Sequence, residues 1–334
     1  MQSPVNTRVA QDAPWTAIRP FCLIDSQLRQ VRECIRESLL VQAGELAPLY
    51  EYLCSRNGKM IRPGLVLLTG ACLGRITQEH IRVAATVQMI HDATLLHDDV
   101  VDEGCTRRGV PTINSLWGNE SAVLLGDFVL SRVFKMTAEF PSPVAKVLAQ
   151  TAVHVCQGEL RQVLQRRNWQ LRESEYIDII TDKSASFFSG CCRLGAMLAQ
   201  DREDQIEAAS RYGLHSGVAF QIMDDVLDIA GDERRMGKES QSDFDRSKPT
   251  LAVIHLLEAA GARDRERITS LLKTPARSKG ELAAMLAQNG SMEYARRRAE
   301  QYMAMAVQAL EPLPKGEARD AMAETARLMA DRMT

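Results

Sequence analysis

Between Pro143 and Pro249 the chain contains no proline. A proline inside a helix removes a backbone hydrogen bond and clashes with the preceding turn, so a stretch this long without one can form several consecutive helices. The same stretch is rich in Ala, Leu, Gln, Glu and Arg and lacks alternating runs of β-branched residues, which favours helix over strand. The expectation is an all-α fold with no convincing strand. From Glu79 to Glu103, Val83, Val87, Ile90 and Thr94 recur at steps of four and three, the repeat of one helical face. A second helix is predicted from about Arg211 to Ile229, ending near Gly231, with Val218, Ile222 and Leu227 among its apolar residues. Further helical regions are predicted at 120–139, 147–167, 174–200 and 250–260. Loops are predicted from Gly104 to Pro111, Phe140 to Pro143, Gly231 to Pro249 and Lys273 to Gly280.

With 334 residues and no stretch biased like an interdomain linker, residues 21–334 read as a single helical domain and residues 1–20 as a flexible N-terminal arm. The 41 Lys and Arg against 43 Asp and Glu give a formal charge of −2, which excludes a strongly basic nucleic-acid binder. A content of 45% hydrophobic and 25% charged residues excludes wholesale disorder. The eight cysteines form no CxxC pair, and Cys191 and Cys192 are adjacent, a poor arrangement for a disulfide framework, so reduced thiols are expected. The first residues have neither a basic start nor an apolar run, and no segment approaches the roughly 20 apolar residues that span a bilayer. The composition therefore predicts a soluble, cytoplasmic protein.

A short acidic pattern occurs twice: DDVVD at Asp98, Asp99 and Asp102, and DDVLD at Asp224, Asp225 and Asp228. On a helix, i and i+4 stand one turn apart on one face, so Asp98 pairs with Asp102 and Asp224 with Asp228. Like charges this close repel, and the apolar neighbours Leu95, Leu96, Val100, Met223, Val226 and Leu227 imply partial burial. A compensating cation is the natural remedy. Hard oxygen donors without a nearby cysteine cluster point to Mg²⁺, which takes one or two carboxylates and completes its shell with water and phosphate oxygens. The implied ligand is a diphosphate. Cations flank both motifs: Lys59 and Arg62 upstream of the first, Arg107 and Arg108 just after it, Lys183 between the two, and Lys238 and Lys248 after the second. Arginine offers a planar fork for phosphate oxygens, whereas an isolated exposed lysine is more often a solubilising charge. His91 lies two helical turns before Asp98 on the same face, and Gln221 lies one turn before Asp224 and Asp225.

Taken in order, GKMIRP, LLHDDVVDEGCTRRG and FQIMDDVLDIAGD followed by GK and KPT resemble the trans-type polyprenyl diphosphate synthase family, in register from about residue 50 to 260. The resemblance implies an isoprenoid synthase-type helical bundle around a central cavity, dependence on Mg²⁺ and a homodimer. It makes Asp98, Asp99, Asp102, Asp224, Asp225 and Asp228 the holders of Mg²⁺ on an allylic diphosphate, with Arg107, Lys183 and Lys238 on that same diphosphate and Gln221 and Lys248 assisting. Lys59, Arg62, His91 and Arg108 are implied to bind isopentenyl diphosphate. Two positions depart from the family pattern: Asn57 stands where Gly commonly precedes GK, and Ser184 follows Lys183 where Thr is common.

The implied reaction breaks a carbon–oxygen bond to diphosphate and joins the allylic cation head to tail to isopentenyl diphosphate. Ile90, Thr94 and Asp98 form a stripe that descends about 5.4 Å per turn from the acidic motif. Ala93 and Thr94 are small, where the resemblance implies an aromatic plug in short-chain enzymes, so a product of C20 or longer is expected. Phe128, Phe134, Phe187 and Phe188 are candidates to close an opposite wall. Two alternatives share the fold. A class I terpene cyclase would replace the second aspartate motif and has no use for Lys59, Arg62 and Arg108. A non-catalytic subunit of a heteromeric synthase would be expected to lose members of the acidic or basic sets, all of which are present here.

Overall fold

The computed structural model describes residues 19–40, 44–55, 58–107, 109–234, 248–273 and 275–330, with side chains of 19, 230–234, 275–279 and 330 excepted. Nearly all of the described chain is helical, as expected. Its described residues separate into two compact units, one drawn from 19–67 and 77–140 and the other from 68–76 and 141–330. The expected N-terminal arm lies outside the described residues apart from its last two, which begin a short 3₁₀ turn at Arg19–Ile24.

In the first unit, α1 (Asp25–Leu40) buries Leu28, Val31, Ile35 and Leu39, a stripe spaced by three and four residues. After α2 (Ala47–Ser55) and α3 (Ile61–Leu73), whose residues from Leu68 onward belong to the second unit, comes α4 (Gln78–Val101), which packs against α1. The Thr77 backbone N–H donates to His80 Nδ1 at 3.1 Å and so closes the α4 N-terminus. The predicted face of Val83, Val87 and Ile90 is buried, but so is every residue from Val83 to Ile90, so the middle of α4 is enclosed on all sides. Beyond it, α5 (Ile113–Trp117) and α6 (Asn119–Thr137) complete the unit, with α6 packed on α4.

One extended feature departs from the expectation of no strand. Thr106–Arg107 (β1) and Val110–Pro111 (β2) pair antiparallel, with Thr106 opposite Pro111. A ladder of two residues per strand is too short to leave an alternating pattern in the sequence.

In the second unit, α7 (Ser142–Leu164) is followed by α8 (Glu173–Ile180), a π-helical turn at Thr181–Ala185, and α9 (Ser186–Ala199). The central element is α10 (Glu203–Arg234), which packs on α9, on the π turn and on α14 (Ser291–Ala309). It starts eight residues before the predicted Arg211 and runs past Gly231. A glycine costs a helix interior only about 1 kcal/mol, which tertiary packing overrides. Gly217 lies where a Cβ would meet the Cα of Ala185, which lets α10 approach the π turn closely. The unit continues through α11 (Leu251–Ala259), α12 (Ala262–Lys273) and α13 (Pro275–Gln288), and ends on α15 (Glu317–Ala330). The loop predicted from Lys273 to Gly280 is instead helical from Pro275, because the first helical position tolerates proline. Val218, Ile222, Val226, Ile254, Leu257, Ile268 and Leu286 belong to one continuous core. Among the described residues, no helix is long and apolar enough to cross a membrane.

Candidate functional site

The first acidic motif occupies the last turn of α4 in the first unit. Glu103 N–H donates to Val100 O at 3.2 Å and Gly104 N–H to Asp99 O at 2.8 Å, closing the helix with the two bonds of a Schellman motif. Glu103 takes the left-handed position usual for glycine, with φ 50°. Three carboxylates therefore crowd the negative end of the helix dipole, where anions are disfavoured and cations are favoured.

Within this turn the aspartates are not equivalent. Asp99 is buried, whereas Asp98 and Asp102 are partly exposed. Arg107 Nε donates to Asp99 Oδ1 at 2.8 Å, so one predicted diphosphate ligand leans on the motif itself. The β1–β2 ladder carries Arg107 to this position. The loop is braced by Thr112 Oγ1 donating to Gly104 O at 2.7 Å, and by Asn114 Nδ2 donating to Gly104 O at 3.1 Å and Asp99 O at 3.3 Å. His97, beside the motif, points to the neighbouring helix instead, 3.3 Å from Val123 O on α6.

The second motif, on α10 in the second unit, repeats the asymmetry: Asp225 is buried, Asp228 is partly exposed and Asp224 is exposed. Both Asp225 oxygens accept protein hydrogen bonds, Oδ2 from Tyr176 Oη at 2.7 Å and Oδ1 from Gln221 Nε2 at 2.9 Å. Gln221 Oε1 in turn accepts from Ser184 Oγ at 2.7 Å. Ser184, at the position that departs from the family pattern, thus keeps a working hydroxyl. Tyr176 was not legible as a site residue: it is an apolar-face residue of α8 by spacing, and only the folded chain brings its hydroxyl to Asp225.

Lys183 stands on the π turn. Its Nζ lies 2.6 Å from Glu159 Oε1 and 2.7 Å from Gln162 Oε1, both on α7. A Cβ at Gly158 would collide with the Lys183 backbone, so this glycine allows the π turn to lie against α7. A π-helical turn inside a helical run is rare and recurs at functional sites.

Of the predicted isopentenyl diphosphate set, Lys59 is exposed between α2 and α3, while Arg62 on α3 and His91 on α4 are partly buried. Met60, between Lys59 and Arg62, holds a left-handed φ of 51°, a conformation disfavoured for a side-chain-bearing residue by about 1–2 kcal/mol. Gly58, Met60, Gln88 and Asp92, which flank Lys59 and His91, line a recess of about 170 Å³ together with Arg32 and Arg36. Lys248 is partly buried just before α11. Arg108, Lys238 and Asn57 lie outside the described residues. Ile90 and Ala93 are buried and Thr94 is partly so, its hydroxyl donating to His91 O at 2.8 Å. Of the aromatic candidates for a closing wall, Phe128 stacks on Tyr50, Phe187 and Phe188 are buried, and Phe134 is exposed.

The donor set fits Mg²⁺ in kind, since both motifs offer only carboxylate oxygens. Among the described residues no three His, Cys, Asp or Glu side chains converge into a ready metal cage. Mg²⁺ does not require one, because one or two carboxylates suffice when phosphate and water supply the remaining ligands.

Residues 44–289 match the protein family described as Polyprenyl synthetase. The chain is 32% identical to octaprenyl diphosphate synthase of Haemophilus influenzae over 93% of its own length and 95% of that protein's. It is 33% identical to a short chain isoprenyl diphosphate synthase of Methanothermobacter thermautotrophicus, over 90% of this chain and 94% of the relative. Among solved structures it is similar to polyprenyl synthase from Caulobacter crescentus, complexed with calcium and isoprenyl diphosphate. The TM-score is 0.88 at 28% identity, covering 95% of this chain and 98% of the other. The fold is that of the isoprenoid synthases, all-α helical bundles. This chain belongs to the polyprenyl synthetase family, the trans-type prenyltransferases that elongate isoprenoid chains.

Proposed function

We propose that this chain catalyses the Mg²⁺-dependent, head-to-tail condensation of isopentenyl diphosphate with an allylic prenyl diphosphate, giving a trans-polyprenyl diphosphate of C20 or longer. The observation that carries the reading is the shared asymmetry of the two pentapeptides. In each, the middle aspartate is buried and held by protein donors, and the outer two stand more open one helical turn apart. Asp98, Asp102, Asp224 and Asp228, completed by Asp99 and Asp225, are the residues that would hold Mg²⁺, which when bound would draw off the charge growing on the departing diphosphate.

The chain's own residues do the rest. Arg107, Lys183, Lys238 and Lys248 bind the allylic diphosphate, with Gln221 beside them. Lys59, Arg62, His91 and Arg108 bind the diphosphate of the second substrate. Fixed cations favour the transition state over the ground state, because negative charge concentrates on the leaving oxygen as the bond breaks. Two separate basic sets also hold mutually repelling anions in reacting orientation. Apolar side chains such as Leu96 and Ile222, buried beside the motifs, keep water from capturing the allylic cation. The growing tail runs along the Ile90, Ala93 and Thr94 side of α4, where small side chains leave room beyond C15.

The same proposal makes the protein a cytoplasmic homodimer. Its eight cysteines lack the spacing of a disulfide framework, and Val123, Leu124 and Phe134 of α6 and Leu116 and Trp117 of α5 are exposed, apolar surface suited to a second copy. The deciding experiment incubates the purified chain with isopentenyl diphosphate, Mg²⁺ and each allylic primer in turn. Linear products of C20 or longer are expected; cyclic hydrocarbons would establish a cyclase instead, and no turnover would favour a non-catalytic subunit.

A further inference from the structure

We propose that Glu159 is a displaceable counter-ion for Lys183, which occupies the ammonium until a diphosphate competes for it and thereby sets how tightly diphosphate is held. The inference rests on the reading of Lys183 as a diphosphate ligand. Lys183 and Glu159 are 20% and 26% exposed, so the pair is partly withdrawn from water yet reachable. An ammonium in such a place needs a compensating anion when no ligand is bound.

The neighbouring pairs make this an organised contact. Asp182, one residue earlier on the π turn, meets Arg161 of α7 at 2.6 Å and His154 at 3.4 Å. Asp182 O also accepts from Ser186 Oγ at 2.6 Å. Two successive residues of opposite charge are thus each matched by opposite charge on one helix, with Gly158 allowing the close approach. Arg161 and His154 fix the turn through Asp182, and Gln162 holds the Lys183 Nζ by a neutral acceptor at 2.7 Å. Between these two partners of Nζ, Glu159 is the charged one and Gln162 the neutral one. A diphosphate arriving at Lys183 must therefore displace or endure that carboxylate, and on departure Glu159 takes the ammonium back. Glu159 acts through Lys183 and is a positioning residue.

The test is calorimetric titration of inorganic diphosphate, with Mg²⁺ present, into the unsubstituted chain, Glu159→Gln, Lys183→Gln and the double variant. Glu159→Gln keeps the hydrogen-bonding shape and removes the charge, so the dissociation constant should fall about five- to tenfold. In the Lys183→Gln background the same change should matter less than twofold, since no ammonium remains to be released. Equal tightening in both backgrounds would reduce Glu159 to general repulsion of anions and overturn the inference alone, as would no tightening at all. An unsubstituted chain that binds no diphosphate overturns this inference together with the functional reading. Should Glu159→Gln fail to fold, Glu159→Asp, which draws the carboxylate back from Nζ, must shift affinity in the same direction by a smaller factor; a shift the other way overturns the inference.

Discussion

Asp225 accepts hydrogen bonds on both carboxylate oxygens, whereas Asp224 one position earlier is exposed, and this difference separates two kinds of mutational loss. Asp98→Ala and Asp224→Ala should each lower kcat by about 10²–10³-fold, the size of removing one preorganised electrostatic stabiliser, with the unfolding midpoint unchanged. Tyr176→Phe instead leaves a buried carboxylate oxygen without its donor and should cost about 1–3 kcal/mol of stability, read by denaturant titration alongside activity. Chain length gives a third residue-scale prediction. Ala93 is fully buried, so Ala93→Phe overpacks the core by about 1–3 kcal/mol. Thr94 is only partly buried, which makes Thr94→Phe the cleaner probe. It should shorten the extracted products without unfolding the protein, and an unchanged length distribution would refute the tail's course along α4. The aspartates were legible in the sequence because their chemistry demands a fixed spacing on one helix. Tyr176, Glu159 and Gln162 were not, because each meets its partner across a tertiary contact that leaves no local pattern.

At the scale of elements, α4 breaks a local rule where function is proposed. Acidic residues belong at helix N-termini, yet Asp98 and Asp99 sit in its last turn and Asp102 at its C-cap, a conflict that a bound cation relieves. Its existence was readable from periodicity, and α6, α7 and α11 lie in regions predicted to be helical. The boundaries of α10 and α13 were misread for one physical reason: Gly231 and Pro275 are weak local breakers in settings where packing, or the tolerance of the first helical position, decides. The contact of α10 with α14 adds a pH prediction. His215 lies with its ring 6.2 Å from that of Tyr302, and burial, with Arg211 nearby, holds its pKa below the usual value. The folded chain therefore prefers the neutral ring, and the unfolded chain takes up the proton first as pH falls through about 6.5. Stability should be undiminished by this group above that pH and decline as acidification proceeds towards the lowered native value. Unfolding midpoints measured between pH 7.5 and 5.5 should drop less in His215→Gln than in the unsubstituted chain, by a modest margin because the residue is only partly buried.

For the whole molecule, family and fold were readable from the order of motifs, but the surface on which two copies would meet was not, because sequence does not distinguish an aromatic residue that fills a core from one that faces outward. Phe187 and Phe134 both sit in helices among apolar neighbours, yet the first is 1% exposed and the second 70%. Leu124, at 66%, and Trp117, at 40%, add to the apolar surface contributed by α5 and α6. A stable dimer buries about 800 Å² on each partner, with its energy concentrated in a few large apolar anchors. Phe134→Glu places a charge on such an anchor at a residue that supports no core of its own unit, so the monomer's fold should survive the change. Sedimentation should therefore give twice the chain mass for the unsubstituted protein and one chain mass for Phe134→Glu, with the same helical circular dichroism. A variant that still sediments as a dimer would show that the two copies meet elsewhere.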